Sequence, residues 1–147
     1  MPSVNFNGYT VSDQTVKDIL QNMCDYFQAD VLVTSGDRTF VPEGGSTTSL
    51  HLNSRAADLH VDGVDDGVVY LNLRNLGYNS VFQSGNGYEF IWHGIHTSTG
   101  GPHIHMGRYG SAGVGYVNFK KEGITADGAG KYPLDIMLPI IPNPFGG

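Results

Sequence analysis

The chain has a single cysteine, Cys24, so no intrachain disulfide framework can hold it together. Cys24 falls on the inner side of an expected helix and reads as a buried thiol rather than a nucleophile. Charge is scarce as well: 15% of residues are Asp, Glu, Lys or Arg, the balance is −6 at pH 7, and there is no basic run. That argues against nucleic acid or an anionic lipid surface as the main partner. No apolar run approaches about 18 residues, which leaves no candidate membrane-spanning helix and no membrane insertion to expect. The first residues, Met1-Pro2-Ser3-Val4-Asn5, lack a basic n-region and an apolar h-region, so no signal peptide is expected. No internal repeat is visible.

What is present is a chain of 147 residues, 39% hydrophobic, with 21 glycines. This suits one domain with a real core and many turns, and disfavours an all-helical bundle. Val4 to Tyr9 reads as a short edge strand. Ser12 reads as an N-cap, and Val16, Ile19, Leu20, Met23 and Phe27 recur at helical spacing, predicting an amphipathic helix over Asp13 to Phe27. Val31 to Ser35 is β-branched and reads as a buried strand. Thr39 to Ser49 is a polar loop.

Ala57 to Gly63 alternates as a strand, with Asp58, His60 and Asp62 on one face. Asp65 to Leu76 is a second helix, with Gly77 placed to end it. Asn79 to Gln83 and Tyr88 to Trp92 flank Ser84-Gly85-Asn86-Gly87 and predict a hairpin. His93 to Gly101 reads as a polar loop, Pro102 to Tyr109 as a strand, and Tyr116 to Phe119 as a short one. We place one domain over 1–131. Residues 132–147 form a proline-rich tail, packed on the domain or engaging a partner.

Two stretches carry chemistry. The first is Ser49 to His60, with His51 and Asp58 on either side of a small-residue step; the second is Pro102-His103-Ile104-His105-Met106. Imidazoles and a carboxylate form an N/O donor set that suits zinc. A catalytic zinc usually takes three protein ligands and keeps one position for water, whose pKa it lowers. His51 at a loop end, Asp58 on one strand and His105 on another meet that requirement. The competing reading is a structural polar cluster without metal.

With Thr34-Ser35-Gly36-Asp37-Arg38 upstream, Ser49-Leu50-His51, Arg55-Ala56-Ala57-Asp58-Leu59 and His103-Ile104-His105 resemble the zinc D-Ala-D-Ala peptidases of the M15 and hedgehog-like group, over roughly Val11 to Tyr109. The resemblance implies a small α+β domain with two main helices on one side of an antiparallel sheet. It implies Zn2+ held by His51, Asp58 and His105, with Arg38 stabilising charge on the substrate. It also implies hydrolysis of peptidoglycan stem peptides, as a D,D-carboxypeptidase or endopeptidase using metal-activated water.

Two departures stand out. Ser54 occupies a position where the family usually has glycine. The acidic general base that such enzymes commonly carry just before the last histidine is missing, since Ser98 to Pro102 offers no carboxylate. The proton shuttle would then be His103, or an acid such as Glu89. A catalytically silent, zinc-bearing recognition module is therefore the alternative function. His103 as a hydrogen-bonded support for its neighbour, and Arg38 as a brace for the following loop, are the competing roles for those residues. His60 reads as a strand-surface histidine, and His93 and His96 as solvated loop residues. A peptidase of this kind would be made in the cytoplasm and act on the bacterial cell wall after phage lysis or secretion by another system.

Overall fold

The computed structural model of the chain describes residues 1–38, 50–76, 81–95, 101–124 and 130–141. The Thr39 to Ser49 loop, Gly77, Asn79, His96 and Ser98 to Gly100 lie outside those residues. The architecture is α+β: two helices and a seven-stranded mixed sheet. In chain order the strands are β1 (Val4–Asn5), β2 (Val31–Ser35), β3 (Ala56–Val61), β4 (Asn86–His93), β5 (His103–Ser111), β6 (Tyr116–Lys121), β7 (Gly123–Ile124), β8 (Gly130–Lys131) and β9 (Leu134–Pro139). The large sheet runs β1-β2-β3-β5-β4-β6-β9, and β7 pairs β8 as a separate two-stranded ribbon. Most pairs in the large sheet are antiparallel, but β1–β2 and β4–β6 are parallel.

Helix α1 (Gln14–Phe27) buries Val16, Ile19, Leu20 and Met23 of the stripe that the spacing predicts, together with Cys24, while Phe27 packs half-buried against the same core. Its cap is Asp13 rather than Ser12: the Asp13 carboxylate accepts from the Val16 N–H at 2.9 Å, while the Ser12 hydroxyl bonds to Asp37. Asp13 is fixed in this role by Arg108, whose guanidinium Nη2 reaches its Oδ2 at 2.6 Å from the far end of β5. Helix α2 (Asp66–Arg74) buries Val69, Tyr70 and Leu73. It lies close over β4 because Gly67 has no side chain; a Cβ there would come within 2.8 Å of the Trp92 ring.

Strand alternation divides the sheet into two faces. Ala57, Leu59, Tyr88, Phe90, Ile104, Met106, Val117 and Phe119 join the buried side of both helices in one core. Phe90 stands at its centre, within 5.8 Å of both Phe82 and Phe119, centroid to centroid. Asp58, Glu89, His103 and His105 belong to the opposite face, which the register sets by pairing Asp58 with His105 and Glu89 with Gly107.

Among the described residues, the hairpin expected around Ser84 to Gly87 does not form. Strand β4 pairs with β5 and β6, and Val81 and Phe82 are core plugs in a bend rather than a strand. The Tyr88 hydroxyl donates to the Gln83 carbonyl at 2.9 Å and closes that bend. Within the C-terminal segment, β9 pairs antiparallel with β6, and Asp135 accepts from Tyr70 and Arg74 of α2, each at 2.8 Å. No helix among the described residues is long and apolar enough to cross a membrane.

Candidate metal centre

A short 3-10 turn, Leu50–Asn53, lays His51 over the face opposite the helices. There it meets Asp58 from β3 and His105 from β5. His51 Nε2 is 2.9 Å from Asp58 Oδ1, His105 Nδ1 is 3.1 Å from the same oxygen, and the two nitrogens are 3.2 Å apart. All three side chains are buried. Three donor atoms at these separations form a compact triangle. A tetrahedral zinc with bonds of about 2.0–2.1 Å asks for ligand atoms about 3.3 Å apart, so the set fits with only a small opening.

The ring contacts agree with that use. His51 Nδ1 donates to the Gly36 carbonyl at 2.7 Å, which puts the proton on Nδ1 and turns Nε2 towards Asp58. His105 turns Nδ1 to the same point and Nε2 to Glu89 Oε1, 2.7 Å away. Burial would push both carboxylates up and the imidazole down, but their mutual hydrogen bonds outweigh it. Asp58 is held well below the usual carboxylate range by His105 and His51. Glu89 is lowered to about 2 by His105, and His105 is raised to about 9 by Asp58 and Glu89. Asp58 and Glu89 thus concentrate negative charge on either side of the His105 ring, a setting that suits a divalent cation.

Arg38 and His103 flank the triangle. Arg38 Nη2 lies 3.2 Å from Asp58 Oδ2, the oxygen that His51 and His105 leave free of their own contacts, and the guanidinium also holds Ser35 Oγ at 2.8 Å. His103 Nδ1 donates to the Gly101 carbonyl at 2.7 Å, so its Nε2 is directed at the site, 3.5 Å from Asp58 Oδ2. His93 is not a solvated loop residue. It ends β4 directly opposite His103, and the two rings stack with centroids 4.3 Å apart. Burial, followed by the charges of His103 and His105, pushes His93 down to about 3 and keeps it neutral. The Tyr132 ring also packs on it, tilted, with centroids 4.2 Å apart. The strand-end position of His93 was hidden in the sequence because its pairing partner lies beyond a long connection.

His60, two residues along β3 from Asp58, bonds Asp66 at the start of α2, 2.9 Å away, and is not part of the triangle. Glu89, the acidic alternative for a proton shuttle, lies on the side of the His105 ring that points away from the triangle.

These features define a class: an α+β domain with a buried His–Asp–His group, able to hold a metal, on the sheet face that the helices leave open. The chain belongs to the peptidase M15 family, whose model matches residues 5–96. That membership implies a metallopeptidase with a peptide substrate. The matched span takes in Arg38, His51 and Asp58 and ends before His103 and His105; the β3–β5 pairing brings these in. No curated protein and no solved structure matches the chain.

Proposed function

We propose that the protein is a zinc-dependent peptidase that hydrolyses peptidoglycan stem peptides, at a D-Ala-D-Ala terminus or within the stem. The observation that carries this reading is the convergence of His51 Nε2, Asp58 Oδ1 and His105 Nδ1 within 2.9–3.2 Å in a chain of the M15 family. A zinc ion held by these atoms would supply Lewis acidity towards a carbonyl and a lowered pKa for water.

The chain's own residues account for the rest. His103 receives a proton at Nε2, because its Nδ1–H is committed to the Gly101 carbonyl, and returns it to the leaving amine. The stacked, neutral His93 keeps the His103 ring plane fixed without adding charge. Arg38 is held by Ser35 and Asp58 through Nε and Nη2, and its Nη1 donors serve the substrate carbonyl or terminal carboxylate. On this reading the protein acts on cell-wall material outside the cytoplasm, reached by lysis or by a secretion route.

One observation favours a second reading. The carboxylates of the site, Asp58 within the triangle and Glu89 behind it, are both committed to its histidines, so neither is placed as a general base. A zinc-bearing recognition module that binds wall peptides without cutting them would have this composition. Incubating the zinc-loaded protein with purified muropeptides, with His105→Ala alongside, decides between the two. Loss of a terminal D-alanine, or a split stem, seen only with the intact site establishes the peptidase. Stoichiometric zinc with no mass change establishes the module.

A further inference from the structure

Glu89 has no counterpart among the motifs that mark the metal site, yet its side chain closely engages a proposed ligand from outside the triangle. Its Oε1 lies 2.7 Å from His105 Nε2. An ionised carboxylate can only accept, so the proton of a neutral His105 resides on Nε2 and the lone pair on Nδ1, the atom that faces Asp58 and His51.

The second Glu89 oxygen is anchored in turn. Tyr109 Oη donates to Oε2 at 3.1 Å, and Lys120 Nζ lies 3.6 Å from Oε2 and 3.3 Å from Tyr109 Oη. Three strands, β4, β5 and β6, each contribute one member of this support. The residue opposite Glu89 on β5 is Gly107, where a Cβ would lie 3.1 Å from His105 Nε2 and crowd the space in which the carboxylate meets the ring. The glycine keeps that approach open.

We infer that Glu89, buttressed by Tyr109 and Lys120, is a positioning residue that sets the His105 tautomer and thereby the affinity of the site for its metal. The inference rests on the metal-site reading above and assigns Glu89 a role distinct from proton transfer to substrate. Carboxylates placed behind a metal-binding imidazole fix its orientation and raise its basicity, and their loss typically weakens metal binding 10–100-fold.

The test measures zinc affinity of the full chain by competition with a chromogenic chelator, for the wild type, Glu89→Ala, Glu89→Gln and His105→Ala. Glu89→Ala is expected to bind zinc roughly 10–100-fold more weakly than the wild type. Glu89→Gln keeps an acceptor oxygen for Nε2–H and loses only the charge, so it recovers part of the loss. A purely structural role for Glu89 would not produce that graded recovery. Nitrogen NMR of the zinc-loaded, histidine-labelled protein gives a second readout: a protonated Nε2 on His105 in the wild type and in Glu89→Gln. If Glu89→Ala does not fold, the Gln variant and the NMR assignment carry the test. Wild-type zinc affinity retained in both Glu89 variants, or a proton on His105 Nδ1, overturns the inference and leaves the metal site standing. A wild type that binds zinc no better than His105→Ala overturns the metal-site reading itself, and the inference with it.

Discussion

Asp58 and His105 stand directly opposite each other on neighbouring antiparallel strands, with Oδ1 3.1 Å from Nδ1. Two of the three candidate ligands are thus set by a backbone ladder in the middle of the sheet, and only His51 depends on a turn.

A metal that binds only the folded chain stabilises it by mass action. At a hundredfold excess of zinc over Kd the gain is about 2.7 kcal/mol. For a domain of this size that raises Tm by roughly 5–10 °C. Thermal melts with zinc and with a chelator should show this difference in the wild type, and His105→Ala should show none.

His103 is expected to matter for turnover and not for metal retention. Its Nδ1–H is engaged with Gly101, and its Nε2 faces the site without belonging to the triangle. Replacing a general base typically costs 10²–10⁴-fold. His103→Gln should therefore lower kcat on a cleaved muropeptide by roughly that factor, while chelator competition returns wild-type zinc affinity.

Asp13 ties the start of α1 to the end of β5. Burial acts to raise its carboxyl, but the bonds from Arg108 and the Val16 N–H prevail and hold it below the ordinary value. A carboxyl lowered in the folded state contributes stability that is fully present above its unfolded pKa, about 3.9, and is lost as pH falls through the folded value. Asp13→Ala, which removes the cap, should cost about 1 kcal/mol or somewhat more at pH 7. Denaturant melts of the two proteins should converge at strongly acid pH.

Ser54 adopts φ +57°, in the left-handed region, immediately after the turn that carries His51. A side chain there is strained by roughly 1 kcal/mol relative to glycine. Ser54→Gly should raise stability by up to about that amount, reduced by glycine's greater freedom in the unfolded chain. Urea unfolding measures it. The same geometry gives a physical reason why glycine suits this position.

Local patterns made much of this molecule legible. The stripe from Val16 to Phe27 announced α1, and the local pattern placed both Asp58 and His105 on strands. What escaped was non-local. Ser84 to Gly87 has the composition of a hairpin turn, but whether β4 finds its partner before or after it in sequence depends on the whole sheet. Ser12 and Asp13 are both competent caps; the choice is made by Arg108 and Asp37, neither of which is a sequence neighbour. Glu89 carried no motif because its partners, His105, Tyr109 and Lys120, come from two other strands.

The β3–β5 register has one more consequence. Side chains alternate between faces at every residue, so slipping one strand by a single position sets Asp58 against Ile104 or Met106 and turns the donors out of reach of each other. Only one alignment of these two strands brings the three donor atoms together. A divalent ion present while the chain folds would therefore select among misaligned sheets, drawing the population towards the single arrangement it can bind. The metal would then act as a proofreader of strand alignment, before it serves in any reaction.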